Sequence, residues 1–161
     1  MAQALPDVDL LLVGDGPLRS DLEGLTSDLG LRDRVCFMGV RSDVAAILRA
    51  SDVFALTSVS EAASITLLEA MASERPVVVT AVGGNPEIVR AGTDGLLVPR
   101  GDAAGVAAAL LTILGDATLA NAMGRAAAER VRANFQLEGT IGRYYALYAG
   151  SHSAAGESEA A

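Results

Sequence analysis

Residues Ser58–Ala72 read SVSEAASITLLEAMA. The stretch follows a short apolar run, Asp52–Thr57, and passes into a helical pattern that spans about Ser64–Ser73. Ser64 is suited to cap that helix. Ala62 and Ala63 before it are small and leave the backbone approachable. A helix that starts at the carboxyl end of a parallel strand presents free N–H groups and a positive dipole end. Anionic groups of a ligand can be held there without a cationic side chain.

Two carboxylates frame the turn, Glu61 and Glu69. In one continuous helix they would lie ~12 Å apart along the axis and about 80° apart in direction, too far to act together. With the helix beginning near Ser64, Glu61 belongs to the loop and Glu69 to the second turn, its side chain tilted back toward the helix start. Such a pair can hold two ends of one elongated ligand. Glu69 interrupts Ile65–Ala72, where only Thr66 is otherwise polar. Residue chemistry leaves two readings open: a carboxylate with a hydrogen-bonding partner, or one at the solvent edge of the helix.

Working outward, four more apolar runs resemble strands: Asp9–Val13, Arg34–Met38, Pro76–Thr80 and Gly95–Val98. All five are short, apolar on both faces and bounded by Gly, Pro or Asp. Helical patterns alternate with them at Pro17–Leu29, Ser42–Ala50 and Pro86–Ala91. Continuous apolar strands alternating with helices predict an α/β fold, a parallel sheet covered by helices on both faces. After Val98 the pattern is helical only. Asp102 can cap a helix reaching about Leu114, Ala117–Asn134 forms another, and Gln136–Tyr148 closes the domain with a packing edge of Tyr144, Tyr145 and Tyr148. One domain is expected over residues 1–149 and a disordered tail over 150–161, with the lone His152 solvated in that tail.

A chain of 161 residues, 51% hydrophobic, has room for one well-formed core. The net charge of −8 disfavours nucleic acid or an anionic membrane surface as a partner. No lysine is present, which excludes a Schiff base or a P-loop lysine within these residues. No apolar run approaches a membrane span, and Met1–Pro6 lacks the basic start of a signal peptide. The single cysteine, Cys36, lies in an apolar run and reads as a buried structural thiol in a reduced, cytoplasmic setting. Gly14-Asp15-Gly16 hints at a dinucleotide site, but the third glycine of that fingerprint would fall at Arg19.

Several linked motifs together resemble family 4 of the glycosyltransferases, members of the GT-B class. They are Ser60-Glu61, then Leu67-Leu68-Glu69-Ala70-Met71-Ala72, Pro76-Val77-Val78 and Gly83-Gly84-Asn85-Pro86-Glu87-Ile88-Val89. The resemblance extends to Val13-Gly14-Asp15-Gly16-Pro17, Val35–Gly39, Ser51–Phe54 and Gly95–Pro99, and spans about Asp9 to Tyr148 in order. It implies a Rossmann-like sheet, the C-terminal half of a GT-B fold, with a nucleotide-sugar (UDP- or GDP-linked) as donor and no required metal or other cofactor. Glu61 would contact the transferred sugar, the catalytic-site position. Glu69 would accept hydrogen bonds from the ribose hydroxyls. Backbone amides from Ala62, Ala63, Ser64 and Ile65, with Thr66 beside them, would hold sugar hydroxyls and phosphate. Gly39, Val40 and Arg41 would lie near the base, and Gly14 and Gly16 near the nucleotide. The reaction implied is transfer with retention at the anomeric carbon, the donor's own phosphate helping to deprotonate the acceptor.

Departures from the pattern are informative. Ala62-Ala63-Ser64 stands where Gly-Phe-Gly is common, which alters the sugar pocket. Ser73-Glu74-Arg75 replaces a small-Gly pair, with Arg75 expected at the surface. The family's N-terminal acceptor domain with its histidine, and the first strand of the C-terminal domain with its Arg and Lys clamp on the diphosphate, have no counterpart here. The expectation is therefore a sheet that lacks its central strand, in a chain that is unstable, or pairs the flanking strands, or recruits a strand from a missing domain or separate subunit. The rival reading is a free-standing nucleotide-binding module without activity of its own. A sugar-nucleotide epimerase of similar fold has no motif in its favour.

Overall fold

The computed structural model describes residues 7–156, with side chains as far as Gly150. Strand and helix alternate through β1 (Leu10–Val13), α1 (Arg19–Asp28), β2 (Val35–Gly39), α2 (Val44–Ala50), β3 (Phe54–Leu56), α3 (Ile65–Ala72), β4 (Val77–Thr80), α4 (Asn85–Ile88) and β5 (Gly95–Val98). Three helices follow, α5 (Ala103–Leu114), α6 (Ala117–Asn134) and α7 (Leu137–Gly156). Every strand pairing is parallel, as the apolar runs imply.

The strands form two sheets, not one. β1 pairs with β2, and β3–β4–β5 form the other sheet. The orders β2–β1 and β3–β4–β5 match the two flanks of the dinucleotide-binding order 3-2-1-4-5-6, and no strand among the described residues pairs with both. β1 and β3 do not pair across the break, so of the outcomes weighed from sequence, direct closure is overturned. A cavity of about 330 Å³ lies at the amino ends of the strands, bounded by Val8 before β1 and by Asp52 before β3.

The core belongs to the three-stranded half. All four β4 residues are buried. Val77 and Val79 face one cluster with Leu67, Met71, Ile88, Val89 and Ala127. Val78 faces the other with Val98, Ala109, Ile113 and Met123, as the two-residue period of a strand requires. Helix α6 reaches both clusters. Its Gly124 packs so closely on the Glu74 carbonyl that a Cβ there would lie 2.1 Å from the oxygen. Asp94, fully buried, accepts from the Arg90 N–H and Nε at 2.6 Å each, and lies 4.0 Å from Arg130. Arg130 in turn donates to the Glu87 and Ile88 carbonyls, locking α6 to the carboxyl end of α4.

The two-stranded half is thinly covered, contrary to the expectation drawn from its apolar strands. Leu10, Leu11 and Val13 are 41–46% exposed, and α1 buries no residue. Cys36 is exposed, a correction to the buried thiol read from its apolar neighbours. The reason is the same for both: a strand is covered on two faces only where helices reach it, and none packs closely here. Tyr144, Tyr145 and Tyr148 are 59–73% exposed along α7. Helix α7 continues past Gly150, the expected start of the tail, to Gly156; residues 157–161 and the His152 side chain lie outside the described residues. Among the described residues no single helix is long and apolar enough to cross a membrane.

Candidate functional site

The site is built on the turn from β3 into α3. Ser64 caps α3, its hydroxyl accepting from the Leu67 N–H at 3.2 Å. That leaves the amides of the first helical residues, Ile65 and Thr66, without an intrahelical acceptor, the usual state of a helix start. Helix α3 buries Leu67, Ala70 and Met71 against β4. The opposite stripe, Ala62, Ala63, Ile65, Thr66 and Glu69, is exposed. Five of the residues expected to meet the donor therefore share one open surface at the amino end of α3. Ile65, at 73% exposure, is an unusually bare apolar side chain.

The two carboxylates differ in setting. Glu61 is half-buried in the loop, and its Oε1 accepts from the Ser58 hydroxyl at 2.7 Å. Glu69 projects from the second turn of α3, is exposed, and makes no hydrogen bond among the described residues. Of the two readings left open from sequence, the solvent edge is the geometric one. An acceptor-only carboxylate standing free beside a helix start has its full capacity available to hydroxyl donors.

The remaining candidates gather at the carboxyl ends of β1 and β2. The Gly14 N–H donates to the Gly39 carbonyl at 2.8 Å, which joins the loop of Gly14 and Gly16 to the loop of Gly39, Val40 and Arg41. Gly14 and Gly39 both adopt positive φ, +119° and +65°, where a side chain would be strained. Val40 is 83% exposed. Arg41 is engaged by Asp43, 2.7 Å away. Hydrogen bonding from Arg41 holds the Asp43 carboxyl below its ordinary range, and hydrogen bonding to Asp43 raises the Arg41 guanidinium. Arg19, from α1, stacks 5.9 Å from the Phe37 ring and pairs with Asp15 and Glu23.

Sequence reading missed Ser58, Thr80 and Asn85, which support Glu61 from behind. The available signal was slight: a hydroxyl ending an all-valine strand, and one amide inside a glycine-proline turn. Arg75, expected at the surface, is part-buried and donates to the Ser51 carbonyl at 2.7 Å, tying the turn after α3 to the C-cap of α2. No cluster of His, Cys, Asp and Glu able to hold a metal occurs among the described residues.

Comparison with known proteins bears on the family and the fold. The family model described as Glycosyl transferases group 1 matches residues 1–116. N-acetyl-alpha-D-glucosaminyl L-malate synthase of Bacillus anthracis is 40% identical over 142 residues, 88% of this chain and 37% of that protein. The lipopolysaccharide core biosynthesis glycosyltransferase LpsE of Rhizobium meliloti is 37% identical over 145 residues, 90% of this chain and 43% of its own. The crystal structure of Anabaena HepE in complex with UDP superposes with a TM-score of 0.86 at 30% identity, over 93% of this chain and 43% of that one. Sucrose-phosphate synthase of Thermosynechococcus elongatus does so at 0.81 and 37% identity, over 91% and 39%. The chain thus spans about two-fifths of the length of these proteins, and the superpositions take in both sheets.

Proposed function

The chain belongs to the group 1 glycosyl transferases, and from that premise we propose that it forms the donor-binding half of a retaining transferase that moves a hexose from a nucleoside diphosphate to an acceptor. The observation that carries this reading is the exposed stripe at the start of α3, framed by Glu61 and Glu69. The donor's diphosphate meets the free amides and positive end of the helix. Glu69, open and unpartnered, accepts from the two ribose hydroxyls. Glu61, preset by Ser58, accepts from hydroxyls of the transferred sugar. The loops joined by the Gly14–Gly39 bond receive the base, with Arg41 beside them. Acceptor binding and the cationic clamp on the diphosphate come from a further domain or subunit, whose strand completes the sheet between β1 and β3. The donor phosphate, with charge developing on it as the glycosidic bond breaks, helps take the acceptor proton on the same face. Glu61 binds and orients.

Uracil is the first base to test, because a related structure is described as a complex with UDP. A thermal-shift series with UDP, GDP, ADP and their hexose conjugates is expected to raise the melting temperature with one base above the others. The same rise with every nucleotide, or with none, would sink the donor-site reading.

A further inference from the structure

Behind Glu61 runs a chain of hydrogen bonds that donor contact by itself does not require. The Ser58 hydroxyl donates to Glu61 Oε1 at 2.7 Å. The Ser58 carbonyl accepts from Thr80 Oγ1, also at 2.7 Å, while the Leu56 carbonyl sits 3.4 Å from the same hydroxyl. The Thr80 carbonyl accepts from Asn85 Nδ2 at 2.9 Å. Thr80 is 2% exposed and Asn85 fully buried. The series therefore runs from the Gly83-Gly84-Asn85-Pro86 turn, through the end of β4, across to the end of β3, and out to the carboxylate. The backbone follows the same route. Gly84 N–H donates to the Ala62 carbonyl at 3.2 Å. A Cβ on Gly83 would lie 1.5 Å from the Glu61 backbone carbonyl oxygen, and one on Gly84 2.2 Å from that of Ala62.

Asn85 Oδ1 is buried and has no hydrogen-bond partner. An orphaned acceptor costs free energy that an apolar side chain of similar size avoids. What the amide adds is its other half, the donor that holds the Thr80 carbonyl. Resting on the donor-site reading above, we propose that Thr80 and Asn85 are positioning residues, which fix the Ser58–Glu61 loop so that the carboxylate is already aimed at the transferred sugar before the donor arrives. Preorganisation of this kind lowers the ordering cost of binding. It acts on the sugar end of the donor and leaves the nucleotide end alone.

The test compares the wild-type chain with Thr80→Val, which keeps shape and loses the hydroxyl, Asn85→Leu, which removes both the donor and the orphaned acceptor, and Thr80→Ser, which keeps the hydroxyl. Calorimetric titration with UDP and with UDP-glucose is expected to leave UDP affinity within about twofold in every variant, while the preference for UDP-glucose over UDP falls about fivefold or more in the Val and Leu variants and survives in Ser. Amide hydrogen exchange, which needs no ligand, is expected to quicken over residues 59–64 in the Val and Leu variants but not in β4 and not in Ser. Unchanged exchange in the loop overturns the proposal, and so does an unchanged sugar preference in a chain that binds both ligands. A wild-type chain that binds no nucleotide would defeat the donor-site reading, with the exchange measurement still deciding whether the tether exists.

Discussion

Glu74 sits at φ +59°, the only non-glycine residue with positive φ among those described. It occupies the position just past the cap of α3. Its N–H donates to the Met71 carbonyl and that of Arg75 to Ala70, the paired bonds of a Schellman ending, which ordinarily has glycine there. Glu74→Gly should raise stability by about 1 kcal/mol in a urea melt, since relief of the left-handed strain exceeds the loss of an exposed pair with Arg132; an unchanged or lower midpoint would contradict it. The substitution of a small-Gly pair at this point was legible in the sequence, but its cost was not, because only dihedrals reveal it. Glu69→Gln should weaken nucleotide binding by about 1–3 kcal/mol in a titration, by removing an ionised acceptor; equal affinity would dismiss Glu69 as a ligand. At Asp43 the sign is set by Arg41, whose hydrogen bond lowers the carboxyl from the ordinary value of 3.8. The pair is complete at neutral pH and is lost as the pH falls through that lowered midpoint, not as it rises. Carbon NMR titration of Asp43 should show the depressed midpoint return upward in Arg41→Gln, and a midpoint unmoved by the change would refute the assignment. The caps Ser64 and Asp102 could be read from sequence because a cap depends on neighbours in the chain. The exposure of Cys36 could not, because it depends on which helix covers a strand.

Among the elements, β4 and β1 have similar composition and opposite surroundings. VVVT of β4 is wholly buried, whereas LLLV of β1 is largely exposed. Apolar content showed that both are strands and showed their direction through the intervening helices. It gave no measure of how far each is covered, which depends on strand order. Two clusters grip β4 from both faces, while no helix closely backs β1. Stability should therefore be uneven. Native-state hydrogen exchange is expected to open the β1 and β2 amides at lower denaturant than those of β4. Simultaneous opening of all five strands would mean that the two sheets share one cooperative core. Helix α7 makes the same point in reverse. Its residues read as helical and then as tail, but the helix runs on to Gly156 with Leu137, Tyr145, Leu147 and Tyr148 bare to solvent on the described part.

At the scale of the molecule, the chain holds the residues proposed to meet a donor and spans only about two-fifths of its relatives. The expected result of an activity assay on this polypeptide alone, with UDP-hexose and a panel of acceptors, is nucleotide binding without sugar transfer. Full turnover would show that the acceptor side is already present. The break between β1 and β3 has one more consequence, which concerns symmetry. Both edges beside the break belong to parallel sheets. A segment that completes both ladders must run in their direction, so it must arrive by a crossover and not by a tight hairpin turn. Two copies of the chain could satisfy their edges in other ways. Pairing β1 with its own counterpart across a two-fold axis is antiparallel and closes as a dimer. Pairing β1 of one copy with β3 of the next is head-to-tail, leaves a fresh edge at each end, and propagates as a filament. Which of these two outcomes concentrated protein reaches, a sedimenting dimer or a growing fibre, depends on which pair of open edges meets first.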